Sequence, residues 1–325
     1  DTDTTVLSAA QDAGIEIPTL CHYSGLEGSG NCRLCTVQRD HEDGPLLPAC
    51  RSFPEEGWEI FTQTPAVRAA RTGVLRDLRS LDLSAAPRVL SLMEEYGVDR
   101  GILVQPIFPG GDNSYVADCA EQEPNRFKAV CVVPNSPTAC EKLEYWSKDR
   151  GCKGLRLRPQ LREESCVFGD PSTFPIWETA SRLGLVVNVL MDLQHLRPLA
   201  ELAKRFSEIP ILIDHMAYPD VTASLKSDPL KSLMGLANFS NIFVKISGCY
   251  YFSQQSYPYK DCMDIFKALY KQFGPSRLIW GSDFPHVLLK SGYQRNLIWL
   301  RRSFPFLTSE EIEMILGKNA VSLYW

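Results

Sequence analysis

From about residue 87 onward, short runs of apolar and β-branched residues alternate with stretches in which apolar positions recur at helical spacing. The short runs predict seven strands, at residues 101–107, 129–134, 154–159, 186–192, 211–216, 242–248 and 278–284. The helical spacing predicts helices at residues 86–96, 114–122, 139–150, 175–183, 196–207, 229–237, 262–273 and 309–316. Strands that alternate with helices in this way are typical of parallel β/α units.

This alternation predicts an α/β fold, a (β/α)8 TIM-like barrel that lacks one strand. A doubly wound sheet is the competing fold. It would place a Gly-rich first βα turn against a dinucleotide, and the chain contains no G-x-G-x-x-G. In a barrel, chemistry lies at the carboxyl ends of the strands. The polar residues expected there are Gln105, Arg156, Arg158, Asp192, Asp214, His215, Lys245, Ser247, Asp283 and His286.

Composition and charge exclude some classes of function. The 325 residues are 44% hydrophobic and 22% charged, which is ordinary for a globular protein. A net charge of −5 gives a nucleic-acid partner no electrostatic support. No run of roughly 18 apolar residues is present to span a bilayer. Residues 1–5 resemble neither a signal peptide nor an Arg-rich transit peptide, although a processed presequence would leave no trace.

Cysteine placement indicates a metal centre near the N-terminus. Four of the eleven cysteines follow the pattern C-x10-C-x2-C-x14-C, namely Cys21, Cys32, Cys35 and Cys50. Zinc and iron–sulfur clusters both accept four thiolates, and a disulfide-linked loop is a third interpretation. Glycines at 25, 28 and 30 favour an iron–sulfur cluster, because they allow the backbone to fold tightly around inorganic sulfide. The other seven cysteines suggest no pairing scheme, which indicates a reducing compartment.

The segment "TTVLSAAQDAGIEIPTLCHYSGLEGSGNCRLCTVQ", followed by "LLPACRSF", resembles a known iron–sulfur domain. It is similar to the N-terminal [2Fe–2S] domain of the large iron–sulfur subunit of respiratory complex I and, equally, of hydrogenase diaphorase subunits. The resemblance implies an α+β ferredoxin-like (β-grasp) domain in which Cys21, Cys32, Cys35 and Cys50 ligate one [2Fe–2S] cluster. The family's initial β-hairpin does not precede Thr4, and its further cysteine runs do not follow.

The segments "GLRLRP", "ILIDHMAYPD", "NIFVKISG" and "FGPSRLIWGSDFPH" resemble the amidohydrolase-2 family, most closely its lactonase-like members. Two domains are therefore expected, at residues 1–80 and 81–325. The resemblance implies that His215, on strand 6, and Asp283, on strand 8, belong to an active site. Asp283 would act as general base on water or carry a proton to the leaving group.

The barrel departs from the family pattern. The chain has no His-x-His, which in the family lies on strand 1 and supplies metal ligands. Only residues 78–86 separate the ferredoxin helix from the first barrel helix, too few for a strand and its loop, so the comparison with the family implies a barrel that lacks strand 1. Met191 stands where many members have a further His, and it does not suit a hydrolytic zinc. A barrel zinc is therefore not expected. A metal-free lactonase would use Asp283 as base and Arg156 with Arg158, on one face of a strand, to hold an anionic substrate.

These features leave several functions open. The principal hypothesis is an iron–sulfur electron-transfer or accessory subunit of a complex I-like NADH dehydrogenase, with the barrel as a degenerate scaffold. The alternative is a lactonase for small carboxylated substrates, and a third is a zinc-holding assembly module.

The expected partners are other subunits of a redox complex, with membrane contact only through them. The expected location is the matrix side of the mitochondrial inner membrane, or else a plastid. If chain segments were missing before Asp1 and around residues 78–88, a His-x-His could lie in them, and an active barrel would then be expected over a degenerate one.

Overall fold

The computed structural model describes residues 4–19, 34–41, 43–106, 112–134, 136–159 and 170–325, with the side chains of residues 73–87 outside the description. The chain divides into two compact units, Asp1–Ala86 and Pro87–Trp325. No helix of the described residues combines the length and the apolar character needed to cross a bilayer.

The first unit contains a small antiparallel sheet and a short helix. Helix α1 spans Val6–Asp12, and the strands are β1 (Thr36–Arg39), β2 (Leu46–Pro48) and β3 (Ile60–Phe61), in the order β2-β1-β3. The Thr5 side chain accepts a hydrogen bond from the backbone N–H of Ser8, which satisfies a free donor at the start of α1. The first unit has an apolar cluster that contains Val6, Leu7, Ile17, Cys35, Val37, Ala49 and Cys50. The β-grasp topology stays a prediction.

Helix α2 spans Pro65–Tyr96 without a break. The expectation of two helices separated by residues 78–86 is therefore wrong. Three Leu and two Ala lie in that stretch, and their high helix propensity supports continuation of the helix. The predicted domain boundary at residues 80 and 81 lies inside α2. Because residues 78–86 belong to α2, they do not form a barrel strand. The lack of barrel strand 1 in the whole chain stays a prediction.

The second unit is a curled sheet of seven parallel strands, a TIM-like half-barrel. The strands, paired in chain order, are β4 (Gly101–Val104), β5 (Phe127–Cys131), β6 (Gly154–Leu157), β7 (Val186–Val189), β8 (Ile211–Ile213), β9 (Ile242–Ile246) and β10 (Leu278–Trp280). All but β5 begin at the predicted residue, and each ends earlier than predicted. The residues beyond each strand leave the ladder and form the carboxyl edge, where polar side chains were expected.

Helices surround this sheet, and most of them cover its outer face. They are α3 (Ser114–Gln122), α4 (Ala139–Lys148), α5 (Phe174–Arg182), α6 (Leu196–Arg205), α7 (Asp228–Gly235), α8 (Cys249–Phe252), α9 (Met263–Phe273), α10 (Tyr293–Ser303), α11 (Ser309–Glu313) and α12 (Asn319–Tyr324). In α6, burial of Leu196, Leu199 and Leu202 follows the helical period. Helix α11 begins with a capping box between Thr308 and Glu311.

The inner face of the sheet is filled at its base by a second apolar cluster. It contains Val130, Val186, Leu212, Ile279 and Tyr324. Tyr324 comes from the C-terminal helix α12, and its hydroxyl donates a 2.7 Å hydrogen bond to Oδ1 of the buried Asn188. Because apolar side chains fill the base, the polar residues of the inner face lie towards the carboxyl ends of the strands.

Candidate functional site

Two of the four predicted cluster ligands lie side by side in the first unit. Cys35 precedes β1 and Cys50 follows β2, and a hydrogen bond from the N–H of Ala49 to the carbonyl of Cys35 joins the two segments. Their Sγ atoms lie 3.4 Å apart, and the residues are 1% and 2% exposed. A disulfide bond is about 2.05 Å long, so these thiols are not cross-linked. Thiolates on one tetrahedral metal at about 2.3 Å lie about 3.8 Å apart, so the pair fits a shared iron. Cys21 and Cys32 lie outside the described residues.

At the carboxyl edge of the half-barrel, a buried carboxylate holds two cations. Asp214 follows β8 and is fully buried. Its Oδ1 lies 2.5 Å from Nζ of Lys245, and its Oδ2 lies 3.1 Å from Nη2 of Arg156. Burial alone would raise the pKa of Asp214, but the charges of Lys245 and Arg156 hold it well below its ordinary value. Two cations around one carboxylate leave this triad with an excess positive charge.

Replacement of Asp214 by Asn should destabilise the protein by about 3–5 kcal/mol, because it leaves two largely buried cations without their counter-charge. Urea unfolding followed by circular dichroism measures the change in the free energy of unfolding. Asp264→Asn is the matched control, since Asp264 is 75% exposed and pairs with Lys267 at 2.9 Å. The control should cost less than about 1 kcal/mol. Equal losses in the two variants would contradict a special role for the buried triad.

His215 is held by a hydrogen bond on one ring nitrogen. Its Nδ1 lies 2.9 Å from Oγ of Ser247, and its Nε2 points towards Oδ1 of Asp283 at 3.8 Å. Burial lowers the pKa of His215, against the opposing effect of the carboxylates of Asp214 and Asp283. The ring is therefore neutral at pH 7. A carboxylate facing Nε2 favours the proton on that nitrogen, so Ser247 donates to Nδ1 and Nε2–H faces Asp283. The carboxyl edge around His215 and Asp283 is called the mouth of the half-barrel.

Asp283 lies just beyond β10 and accepts two phenol hydrogen bonds on one oxygen. Tyr250 and Tyr251 donate to Oδ2 at 2.6 Å and 2.7 Å. Burial and the nearby carboxylate raise the pKa of both phenols well above the ordinary tyrosine value, so they remain donors. Burial would raise the pKa of Asp283 as well, but His215 and the two phenols bring it below its ordinary value. Among the described residues, no hydrogen bond reaches Oδ1, which leaves this oxygen open to receive a proton.

The backbone around these groups is strained. Left-handed φ angles occur at His215 (50°), Met216 (55°), Ala217 (59°), Tyr218 (48°) and Asp283 (54°). Such a conformation costs a non-glycine residue roughly 1–2 kcal/mol. Strain of this kind persists where the surrounding structure enforces it, and it clusters at active sites.

Gly248 makes the approach of His215 to Ser247 possible. A Cβ at this position would lie 2.7 Å from Nδ1 of His215, and its φ of +67° also disfavours other residues. The turn at Gly248 starts α8, which carries Tyr250 and Tyr251 towards Asp283.

The two predicted arginines have different surroundings. Arg156 is engaged with Asp214 and is 12% exposed, whereas Arg158 is exposed just beyond β6. Burial raises the pKa of Tyr218, and the charges of both arginines act in the opposite direction, which places them near this phenol. A joint bidentate grip of both arginines on one substrate carboxylate stays a prediction.

The remaining histidines of the half-barrel differ in position. His286 lies at the mouth, with its ring centroid 6.4 Å from that of Tyr251. His195 instead pairs through Nδ1 with Asp192 at 2.6 Å, at the start of α6.

The donors that the described residues place at the mouth do not make up a zinc site. A catalytic zinc ion has three protein ligands, and the chain lacks His-x-His. In the part of the chain that is described, no three His, Cys, Asp or Glu side chains are placed to share a metal ion. Among the described residues around Asp283, His215 is the nearest further donor, and their 3.8 Å contact joins Nε2 to Oδ1. That the barrel works without zinc stays a prediction.

Sequence reasoning missed Tyr218, Tyr250 and Tyr251. Aromatic residues after a strand are usually core residues, and only the turn at Gly248 directs the adjacent pair to one carboxylate. The available signal was the Ser-Gly that follows β9, since a glycine there permits the left-handed turn.

Two family models match this chain. The model described as Amidohydrolase matches residues 70–324, and the model described as 2Fe-2S iron-sulfur cluster binding domain matches residues 1–65. The two matches follow one another with the junction near the start of α2. The expected fusion of the two kinds of domain is confirmed.

Individual relatives show the same division. The 4-sulfomuconolactone hydrolase of Rhizobium radiobacter is 30% identical over 204 residues, which are 63% of this chain and 66% of that protein. The mitochondrial NADH dehydrogenase (ubiquinone) iron-sulfur protein 1 of Solanum tuberosum is 39% identical over 74 residues, which are 23% of this chain and 10% of that protein. The chain thus spans just under two thirds of the first relative and a tenth of the second.

Among solved structures, a probable 2-pyrone-4,6-dicarboxylic acid hydrolase from Acinetobacter baumannii with citric acid bound has a TM-score of 0.64 to this chain. It is 22% identical, and the match covers 74% of this chain and 88% of that one. At this identity the likeness establishes the fold alone, a parallel TIM-like half-barrel.

Proposed function

Since this chain belongs to the amidohydrolase family, fused to an N-terminal domain of the 2Fe-2S type, we propose that its half-barrel hydrolyses small lactones that carry a carboxylate. The observation that carries the proposal is the state of Asp283. Two phenols hold its Oδ2, while Oδ1 faces Nε2 of His215 across 3.8 Å. This arrangement orients an ionised carboxylate and leaves one of its oxygens available as a base.

In the proposed reaction, Oδ1 of Asp283 takes a proton from a water molecule that attacks the lactone carbonyl. The Nε2–H of neutral His215 donates to the carbonyl oxygen as negative charge develops there. When the carbonyl re-forms, the ring C–O bond breaks and the proton on Asp283 passes to the departing alkoxide. The products are the ring-opened hydroxy acid and the regenerated Asp283 carboxylate.

Local charge supports a carboxylated substrate. The triad of Asp214, Arg156 and Lys245 has one positive charge in excess, and Arg158 adds an exposed guanidinium beside the same edge. A guanidinium fork suits carboxylate recognition. 4-Sulfomuconolactone hydrolase, the relative described above, is named for an anionic lactone, which agrees with this substrate class.

The strained backbone favours a catalytically active half-barrel over a degenerate scaffold. Five left-handed non-glycine residues, among them His215 and Asp283, store roughly several kcal/mol of strain. A site without function would be free to relax that strain by substitution.

The experiment that tests the proposal is an assay of the purified chain against matched lactones with and without a carboxylate, with ring opening followed by pH-stat. We expect turnover of the carboxylated lactone and a kcat/KM at least about tenfold lower for the neutral analogue, because a charged hydrogen bond contributes about 1.5–3 kcal/mol. Absence of turnover for both compounds would support the degenerate-scaffold hypothesis. Equal turnover would contradict the assigned role of the cationic edge.

The pH dependence of kcat/KM should change when a phenol hydrogen bond to Asp283 is removed. Since the pKa of Asp283 lies below its ordinary value, and protonated His215 would keep its Nε2–H, activity should hold from pH 8 down to about 6.5 and fall only at more acidic pH, as Asp283 takes up a proton. Tyr251→Phe removes one donor from Oδ2, so the pKa of Asp283 rises and the acid limb moves to higher pH. Tyr145→Phe, an exposed tyrosine of α4, is the control and should leave the profile unchanged. An unmoved acid limb in the Tyr251 variant would show that Asp283 does not set it.

A second function is favoured by a separate observation, the 3.4 Å contact of the Cys35 and Cys50 thiols. We propose that Cys21, Cys32, Cys35 and Cys50 hold a [2Fe–2S] cluster, which supplies one-electron transfer when bound. The likeness to iron–sulfur subunits of NADH dehydrogenases supports a multi-subunit redox partner. A mitochondrial location agrees with one of these relatives and stays a prediction. Two iron atoms and two labile sulfides per chain would support the cluster, whereas one zinc would contradict it.

A further inference from the structure

Arg71 of α2 is a buried cation beside the predicted cluster ligands. Its Nε and Nη2 donate hydrogen bonds of 3.2 Å and 2.8 Å to the backbone carbonyl oxygen of Thr36. Thr36 directly follows Cys35, so the guanidinium lies against the segment that carries this thiol. The residue is only 8% exposed.

A buried guanidinium such as that of Arg71 needs a negative charge close to it. No carboxylate of the described residues forms an ion pair with Arg71, whereas the partly buried Arg156 and Lys245 share Asp214. A buried cation without an opposite charge is strongly destabilising. Burial lowers the pKa of Arg71, and a negative charge on Cys35 acts in the opposite direction, which places the two groups within electrostatic reach. The nearby group suited to compensate Arg71 is therefore anionic and includes the Cys35 sulfur.

We propose that Arg71 is the counter-charge of the iron–sulfur cluster and raises its reduction potential. The inference rests on the [2Fe–2S] site proposed above and concerns a positioning residue, since Arg71 acts through the Thr36 carbonyl and through space. Two ferric ions, two sulfides and four thiolates sum to a negative charge, and one-electron reduction makes the cluster more negative. A fixed buried cation therefore stabilises the reduced form more than the oxidised form.

The test compares Arg71→Gln, Arg71→Lys and Arg68→Gln in the full chain, by redox titration monitored with electron paramagnetic resonance. Gln can still donate to the Thr36 carbonyl but carries no charge, whereas Lys retains the charge. Arg68 lies on the same helix but is exposed, so solvent and salt screen it. We expect Arg71→Gln to weaken reduction at least tenfold, a shift of 59 mV to more negative potential for a one-electron couple. Arg71→Lys and Arg68→Gln should remain close to the wild-type potential.

The outcomes separate this inference from the cluster assignment. A wild-type protein with no iron–sulfur signal overturns the cluster assignment, and the inference with it. A loaded Arg71→Gln protein with the wild-type potential overturns the inference alone. Equal shifts in Arg71→Gln and either Arg71→Lys or Arg68→Gln also overturn it, because the effect would then not come from a buried charge. Loss of the cluster from Arg71→Gln, while Arg71→Lys stays loaded, supports the counter-charge role.

Discussion

Asp283→Asn should lower kcat/KM for carboxylated lactones by about 10²–10⁴-fold, the usual contribution of a general base. Asn keeps the shape of the side chain and can still accept hydrogen bonds from Tyr250 and Tyr251, but it cannot take a proton from water. The loss should appear in kcat, because Asp283 acts in the chemical step. Steady-state kinetics over a range of substrate concentrations separates kcat from KM.

Asp192→Asn is the matched control for this variant. Asp192 also lies beyond the carboxyl end of a parallel strand, β7, but it is half exposed and pairs with His195. Its replacement should change kcat/KM by less than about threefold, since an exposed ion pair contributes about 1 kcal/mol or less. Full activity in Asp283→Asn would remove the base assignment. Equal losses in both variants, with wild-type melting temperatures, would mean that the chemistry does not depend on Asp283 in particular.

The positions of Asp283 and His215 could be predicted from the sequence, because the end of a parallel strand determines where the next residues lie in the sheet. Once the short apolar runs are assigned to parallel strands, the polar residues after them must meet at one edge of the sheet. The bonding within that edge could not be predicted in the same way. Whether Arg156 binds a substrate or Asp214 depends on side-chain direction at full burial, and in the structure its guanidinium is engaged with Asp214.

The errors and omissions have physical causes too. The break at residues 78–86 combines the end of the ferredoxin helix, implied by the resemblance, with the start of a helix at residue 86, predicted from helical spacing, whereas α2 continues through to Tyr96. The two phenols on Asp283 depend on the left-handed turn at Gly248, which no apolar periodicity reveals. In the first unit, spacing alone left zinc, iron–sulfur and disulfide interpretations open. The 3.4 Å contact of Cys35 and Cys50 argues against the disulfide between this pair.

Cys50→Ala should abolish the iron–sulfur cluster. A cluster held by four thiolates that loses one buried ligand exposes an iron coordination position, and Ala offers no donor to replace it. We expect less than about a tenth of the wild-type iron and labile sulfide, and no [2Fe–2S] signal in the electron paramagnetic resonance spectrum of the dithionite-reduced protein. Because the half-barrel has its own core, lactone turnover should persist in this variant.

Cys140→Ala is the control for the cysteine variant. Cys140 is a partly exposed thiol of α4 in the half-barrel, so its loss should leave iron content and spectrum unchanged. A Cys50→Ala protein that retains its full iron content would exclude Cys50 from the ligand set. The cluster assignment would then require a different fourth donor, and the 3.4 Å approach of Cys50 to Cys35 would be a feature of apolar packing in the first unit. Loss of iron from both variants would instead indicate general instability, which far-ultraviolet circular dichroism of each protein detects directly.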